Sequence, residues 1–375
     1  MSGQGVMSVM IAGGGTGGHL FPGIALAEEF QKHEHDMDIV FVGTEHGIEA
    51  AVLPREGFTV EFVSAVGFMG GGLIRKVKSF FRMIGAISDS YRIITKYQPD
   101  VMIGLGGYAS FATVLSGVLK GIPTLILEQN AVPGFANRVL GKFARAVCIT
   151  YQESMSYFPK HKTFLTGNPI REKILRGSKT SALKIFGLKP DLFTVFIFGG
   201  SAGASSINKA LVDALQYLLD LKEGVQFLHQ TGEKDYEFVR DAYRSYGFSG
   251  MVSPFIFQMA EAYAVSDMVV SRAGATTLSE ITALGKPAVL IPYPFAAANH
   301  QEVNARKMEQ MQAALLILDR ELNGRMLAGT IRELHDNQEL REKIRKNSGT
   351  LGQPRASQKV FTIALSVARK GPHHV

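Results

Sequence analysis

One pattern occurs twice in this chain. Ser8-Val9-Met10-Ile11-Ala12 runs into Gly13-Gly14-Gly15-Thr16-Gly17-Gly18-His19 and then a helical stretch from Pro22 to Phe30. Almost half a chain later, Phe193-Thr194-Val195-Phe196-Ile197-Phe198 runs into Gly199-Gly200-Ser201-Ala202-Gly203-Ala204 and a helical stretch from Ile207 to Leu219. A buried strand, a glycine-rich turn and an amphipathic helix together open a Rossmann-like half. Two such openings predict two tandem α/β domains. A length of 375 residues, beyond the size at which one core keeps growing, makes two domains the default as well.

Further apolar runs keep the alternation. They are Ile39 to Val42, Val101 to Leu105, Thr124 to Leu127 and Ala146 to Thr150 in the first half, and Gln226 to His229, Met268 to Ser271 and Ala288 to Ile291 in the second. Helical runs at 48–55, 110–120, 259–265 and 276–284 lie between many of them, so each sheet is expected to be parallel and covered on both faces. The boundary is expected near Gly167-Asn168-Pro169, with domains at 1–168 and 169–355 and a closing helix with a loose tail at 356–375.

Composition narrows the function. The single cysteine, Cys148, excludes an internal disulfide framework, fits a reducing compartment and reads as a small buried apolar residue. No secretory signal precedes the first strand. Val101 to Leu119 carries no charge, but Gly104, Gly106 and Gly107 interrupt it, and it reads as strand, glycine loop and helix rather than a span. The net charge of +7 is uneven: residues 62–127 hold seven Lys/Arg against two acids, and 341–370 hold eight against one. Such clusters point to anionic partners, and without an RNA-binding signature a phospholipid surface is favoured over nucleic acid. Between Leu73 and Ile87, apolar residues at helical spacing alternate with Arg75, Lys76, Lys78 and Arg82. That is the pattern of a basic amphipathic helix on a membrane, with Phe80 or Phe81 outward, or of a domain helix packing the same residues inward.

Glycine-rich turns between strand and helix let the backbone approach an anion. Three occur here, at 13–18, 104–107 and 199–204. A dinucleotide would need an acid at the end of the second strand, where Glu45 comes a step late, and the Lys of a nucleotide-triphosphate loop is absent. A fourth segment, Ser271-Arg272-Ala273-Gly274-Ala275-Thr276-Thr277-Leu278-Ser279-Glu280, follows an apolar strand. Gly274 would make the turn, residues 275–277 would offer helix N-terminal N–H groups to a diphosphate, and Glu280 could accept both hydroxyls of a ribose. Asp36-Met37-Asp38 spells a metal-binding Asp-x-Asp, but beside His33 and His35 it reads as a solvated loop, and no protein-bound metal or other cofactor is expected.

The glycine loops together with Glu128-Gln129-Asn130, Gly167-Asn168-Pro169-Ile170-Arg171, the 271–280 segment and His300-Gln301-Glu302-Val303-Asn304-Ala305 stand in an order that resembles the MurG family. This is the transferase that converts lipid I to lipid II in peptidoglycan synthesis, and the resemblance runs from about residue 8 to about 355. It implies a GT-B fold of two Rossmann-like domains facing a cleft, the donor UDP-GlcNAc held mainly by the second. Thr16, Gly17 and Gly18 would lie against the donor sugar and the acceptor diphosphate, and Asn130 against the sugar. Arg171 and Ser201 would meet the nucleotide part, and Ile256 would read uracil through its backbone with Phe255 beside it. Ala275, Thr276, Thr277, Leu278, Ser279 and Glu280 would take diphosphate and ribose, and Gln301 a sugar hydroxyl. Ala202 and His300 depart from the Gln frequent at those positions in relatives.

Transfer to an alcohol needs a base, and His19 is the natural candidate, with Glu128 and Tyr108 in reserve for base or orienting roles. A single displacement would invert the anomeric carbon. The resemblance also implies a peripheral protein on the cytoplasmic face of the cell's inner membrane, serving wall growth, cell shape and division. Lipid I, an anionic membrane surface and a wall-synthesis complex would then be its partners. Three other readings stay open on residues alone: another UDP-sugar transferase of the same fold, a two-domain NAD(P) oxidoreductase, and a non-catalytic nucleotide-sugar-binding scaffold.

Overall fold

The computed structural model describes residues 7–33, 37–64 and 73–369, with only the helical backbone at 73–82. The chain divides into two compact units, Met1–Arg171 with Pro354–Val375, and Glu172–Gln353. The first contains β1 (Met7–Gly13), α1 (Gly17–His33), β2 (Met37–Gly43), α2 (Glu49–Arg55), β3 (Thr59–Phe62), α3 (Leu73–Tyr97), β4 (Val101–Gly106), α4 (Gly107–Leu119), β5 (Thr124–Glu128), α5 (Phe135–Leu140), β6 (Ala146–Ile149) and β7 (Thr163–Leu165). The second contains α6 (Glu172–Leu175), α7 (Lys179–Phe186), β8 (Phe193–Phe198), α8 (Ser205–Ala214), β9 (Val225–Gln230), α9 (Tyr236–Tyr246), β10 (Ser249–Ser253), α10 (Met259–Val265), β11 (Met268–Ser271), α11 (Ala275–Leu284), β12 (Ala288–Leu290), α12 (His300–Gln310), β13 (Leu315–Leu316), α13 (Gly324–Asp336) and α14 (Gln338–Leu351). The last helix, α15 (Ala356–Arg369), returns to the first unit.

Both sheets are parallel throughout, in the orders β3-β2-β1-β4-β5-β6-β7 and β10-β9-β8-β11-β12-β13. Apolar runs with no polar face form such strands, because helices cover both sides. In β1, Val9 and Ile11 pack with Leu20, Ile24 and Phe30 of α1, while Met10 and Ala12 face Ile93 and Ile94 of α3 and Ala112 of α4. In each sheet one aspartate locks the first strand to the fourth. Asp100 accepts from Ser8 N–H at 2.8 Å and donates its own N–H to Ser8 O at 2.8 Å. Asp267 does the same with Thr194, at 2.7 and 2.9 Å. The echo seen in the sequence thus extends to this pairing.

Several elements differ from expectation. The short strands β3, β7 and β10 lack a continuous apolar run, while β13 lies within one from Ala313 to Leu318; none of the four was anticipated. The helix expected at 207–219 ends at Ala214 and continues as 3-10 turns. The closing helix, set apart at 356–375, packs on α1: Phe361 lies edge-on to Phe30 at 5.0 Å and stacks on His33 at 4.7 Å. Val101 to Leu119 is β4 and α4, and no helix among the described residues is long and apolar enough to cross a membrane. Cys148 is fully buried in β6, and burial pushes its thiol up to about 12.

Candidate active site

In open parallel sheets, ligands bind beyond the carboxyl ends of the strands where the strand order reverses. That point lies between β1 and β4 in the first unit, and between β8 and β11 in the second. All four segments singled out in the sequence emerge there: 13–18 and 104–107 in one unit, 199–204 and 271–280 in the other.

In the first unit, Thr16 O accepts the N–H groups of His19 and Leu20 and so starts α1. His19 Nδ1 lies 3.4 Å from Gly14 O. A carbonyl can only accept, so this contact puts the neutral ring's proton on Nδ1 and its lone pair on Nε2. Nε2 looks onto the turn between β4 and α4, where Gly106 and Gly107 have φ of 100° and 84°. Only glycine takes two such angles in succession at no cost, and a Cβ on Gly106 would stand 3.2 Å from Nε2. The second residue of α4 is Tyr108, half-buried beside this turn.

Glu128, at the end of β5, is 2% exposed. Its Oε1 accepts from Asn130 N–H at 2.9 Å and from Asn130 Nδ2 at 3.3 Å, and its Oε2 from Asn137 Nδ2 at 2.9 Å and Gly134 N–H at 3.3 Å. Burial pushes its pKa up, and these donors oppose the shift. Four donors on two oxygens make it the organiser of the 130–137 turn rather than a base open to substrate. Ser154 Oγ–H ties the same turn from below, donating to Asn130 O at 2.8 Å. Asn130 is thereby held half-buried, and Arg171 is buried with its guanidinium 4.1 Å over the ring of Phe21.

In the second unit, Gly200 and Gly203 have φ of 99° and 75°, and Ser201 stands exposed at the loop's tip. Buried Gln230 couples this loop to the next: its Nε2 donates to Gly200 O at 2.9 Å, and its Oε1 accepts from Ile256 N–H at 2.8 Å. Backbone recognition by Ile256 therefore falls to its carbonyl unless Gln230 lets go. Phe255 lies edge-on to the exposed Phe257 at 4.7 Å. Behind the loop, His229 is fully buried between Asn208 Oδ1 at 3.0 Å and Tyr243 Oη at 3.4 Å, and burial lowers its pKa to about 3.

Gly274 is the N-cap of α11 and, unlike the turn expected of it, has an extended backbone. Having no side chain, it leaves the first-turn N–H groups of Ala275, Thr276 and Thr277 uncapped by its residue, which suits an anion. Leu278 is a core residue, and Ser279 Oγ–H donates to Ala275 O at 2.8 Å, so those two side chains serve the helix. Glu280, 4% exposed, accepts at Oε2 from buried Tyr263 Oη–H at 2.9 Å. Gln301 Oε1 accepts from Tyr293 N–H at 2.9 Å, just after Ala298 and Asn299, whose φ of 51° and 53° mark a strained turn. Arg272 is committed to Ser206, Asp319 and the carbonyls of Ile291 and Pro292. Of the Asp36-x-Asp38 pair, Asp36 lies outside the described residues and Asp38 is exposed on β2.

Three residues escaped the sequence reading. Tyr263 sits in a mainly apolar run that looks like core, Gln230 closes a strand without any motif, and only their partners reveal them. The third, Glu49, does not stand at the end of β2, where a ribose acid belongs. It enters instead from the start of α2, fully buried, and accepts from Gly15 N–H, Thr44 N–H and Thr44 Oγ1–H. These protein donors fill it, so it is not a ribose acceptor.

Two Rossmann-like units, each with a phosphate-type glycine loop at its switch point, are the architecture of the GT-B fold. Residues 9–149 match the glycosyltransferase family 28 N-terminal domain and residues 194–360 its C-terminal domain. A relative from Thermodesulfovibrio yellowstonii, named UDP-N-acetylglucosamine–N-acetylmuramyl-(pentapeptide) pyrophosphoryl-undecaprenol N-acetylglucosamine transferase, is 50% identical over 97% of this chain and 100% of its own. One of the same name from Myxococcus xanthus is 46% identical over 98% and 95%. The crystal structure of Acinetobacter baumannii MurG superposes with a TM-score of 0.75 at 28% identity, covering 96% of this chain and 99% of that one. The chain belongs to the MurG family of glycosyltransferases.

Proposed function

We infer that this protein transfers N-acetylglucosamine from UDP-GlcNAc to lipid I, undecaprenyl-pyrophosphoryl-MurNAc-pentapeptide, and so forms lipid II for peptidoglycan. Identities of 50% and 46% over nearly the whole chain to the relatives above support the substrates. The observation that carries the chemistry is His19, with Nδ1 on Gly14 O and Nε2 turned to the paired glycines of the facing strand end.

The acceptor hydroxyl attacks the sugar's anomeric carbon and gives its proton to His19 Nε2, while the bond from that carbon to UDP breaks. One displacement inverts the anomeric centre, giving a β-linkage. The leaving diphosphate receives the first-turn N–H groups of α11 with Ser201 of the same unit, donors fixed before reaction, and Arg171 serves the nucleotide part. Glu280, held at Oε2 by Tyr263, takes the ribose, Phe255 and Ile256 flank the uracil, and Gln301 and Asn130 contact sugar. Thr16, Gly17 and Gly18 face sugar and acceptor diphosphate, and Tyr108 orients the acceptor.

His19→Ala should lower transfer to a water-soluble lipid I analogue by about 100-fold or more, with UDP-GlcNAc affinity little changed. Near-normal turnover at saturating substrates would remove His19 as the base.

The protein acts peripherally on the cytoplasmic face of the inner membrane, where its acceptor is anchored. The side chains of Arg75, Lys76, Lys78, Phe80, Phe81 and Arg82 lie outside those described, while the described end of α3 exposes Ile84 beside buried Ala86. Neutralising those four cations should weaken binding to anionic vesicles in a salt-sensitive way and spare activity on the soluble analogue. Unchanged vesicle binding would move the docking surface elsewhere.

A further inference from the structure

Glu49 has no place in the chemistry described so far, yet the first glycine loop is built around it. Its Oε2 accepts from Gly15 N–H at 2.7 Å, and its Oε1 accepts from both the N–H and the hydroxyl of Thr44 at 2.9 Å. Three glycines close on the carboxylate. A Cβ on Gly14 would stand 2.2 Å from Oε1, one on Gly47 2.1 Å from Oε2, and one on Gly43 2.5 Å from Cγ. None of the three has a left-handed backbone, so conformation does not call for glycine at any of them. The volume of this one buried carboxylate does. The socket therefore fits a glutamate and leaves no room for a side chain in its wall.

The socket lies one peptide from the base. Gly14 faces the carboxylate with its α-carbon and His19 Nδ1 with its carbonyl, and Gly15, the next residue, donates its N–H to the same carboxylate. Fixing the N–H of one residue fixes the plane of the peptide that carries the preceding carbonyl. Anchoring Gly15 N–H thus aims Gly14 O at the imidazole.

We propose that Glu49 is a positioning residue for catalysis, holding the Gly14–Gly15 peptide so that its carbonyl keeps His19 in the orientation and tautomer of a base. This rests on the reading of His19 as the base. Glu49 itself touches neither substrate nor the transferred proton. A glutamine in its place would set an NH₂ group against either the Gly15 N–H, which breaks the anchor, or the Thr44 donors, which frees the side chain that carries it.

The test measures kcat and both KM values for Glu49→Gln, His19→Ala and the double variant, with a soluble acceptor analogue and UDP-GlcNAc. Glu49→Gln should lower kcat about 30-fold or more at unchanged donor affinity, but less than about threefold when His19 is already alanine, because groups acting as a unit are non-additive. Equal factors in both backgrounds, or near-normal kcat for Glu49→Gln, would overturn the proposal while leaving His19 as base. Near-normal turnover by His19→Ala would sink the base reading and the proposal with it. Should Glu49→Gln fail to fold, Thr44→Val removes one donor and keeps the carboxylate. It should show a loss of about threefold to tenfold with the same dependence on His19, and additivity there would count equally against the idea.

Discussion

Gly203→Ala puts the 199–204 loop under strain of a size the structure allows to be worked out. At φ 75° an added Cβ would stand 1.9 Å from Thr231 O, a backbone atom that cannot rotate away. Ordinary contact needs about 3.5 Å, so the 199–204 loop must retreat by about 1.5 Å or the backbone must leave the left-handed region. The left-handed conformation alone costs alanine about 1–2 kcal/mol. A retreat of that size also stretches the bond from Gln230 Nε2 to Gly200 O, now 2.9 Å, past hydrogen-bonding range, a loss of about 1 kcal/mol. Together these make about 2–3 kcal/mol, which falls on the state that needs the loop in place. If the loop holds the donor, UDP-GlcNAc binding should weaken by about 30- to 150-fold. Isothermal titration with UDP-GlcNAc and with UDP reads this directly, beside a thermal melt to show that the second unit is folded. A folded variant that binds the donor within about twofold of the parent would mean that the loop does not contact it.

Other outcomes follow from buried groups. His229 stays neutral in the folded state, with a pKa lowered to about 3, but takes up a proton in the unfolded chain below its ordinary value of about 6.5. Its contribution to stability is complete above that ordinary value and is lost as pH falls toward the folded pKa, by about 2 kcal/mol between about pH 7 and pH 5. In denaturant titrations, His229→Gln should lose that much less stability than the parent over the same interval, and equal losses would show that the ring is not held neutral. Tyr263→Phe removes the donor to Glu280 Oε2 while keeping the ring, and should weaken UDP-GlcNAc binding about threefold to tenfold with little change in melting temperature. Unchanged affinity there would detach Tyr263, and its hold on Glu280, from donor recognition.

How much of this could be read in advance depended on distance along the chain. The strand–glycine–helix openings were legible because each is one continuous segment whose periodicity changes from strand to helix at the glycines. Their placement at the switch points followed, since parallel sheets with short crossovers leave few orders. The partners of Glu128 were illegible: which donors fill it depends on how the 130–137 turn folds back, and no spacing encodes that. Glu49 was hidden because its acid reaches the first loop from a helix start rather than from a strand end. The turn at Gly274 was expected from residue type alone, whereas its extended backbone shows glycine used there for its missing side chain. Short strands such as β10, with Gly250 inside and half-buried residues throughout, carry too little apolar signal to be found alone.

The return of α15 to the first unit sets an order of events on the ribosome. Val360, Phe361, Ala364 and Val367 belong to the same buried cluster as Val9, Ile11 and Leu20, so the N-terminal core is incomplete until nearly the last described residue has been made. The buried cluster of the second unit, by contrast, draws its described residues from Val195 to Ile344. During synthesis the domain encoded second is therefore the first able to finish folding. The earlier-made half waits with part of its apolar face uncovered for the roughly 10–40 seconds that about 200 residues take at typical bacterial rates. A chain that stalls or is cut before α15 leaves the second unit whole and the unit bearing His19 open.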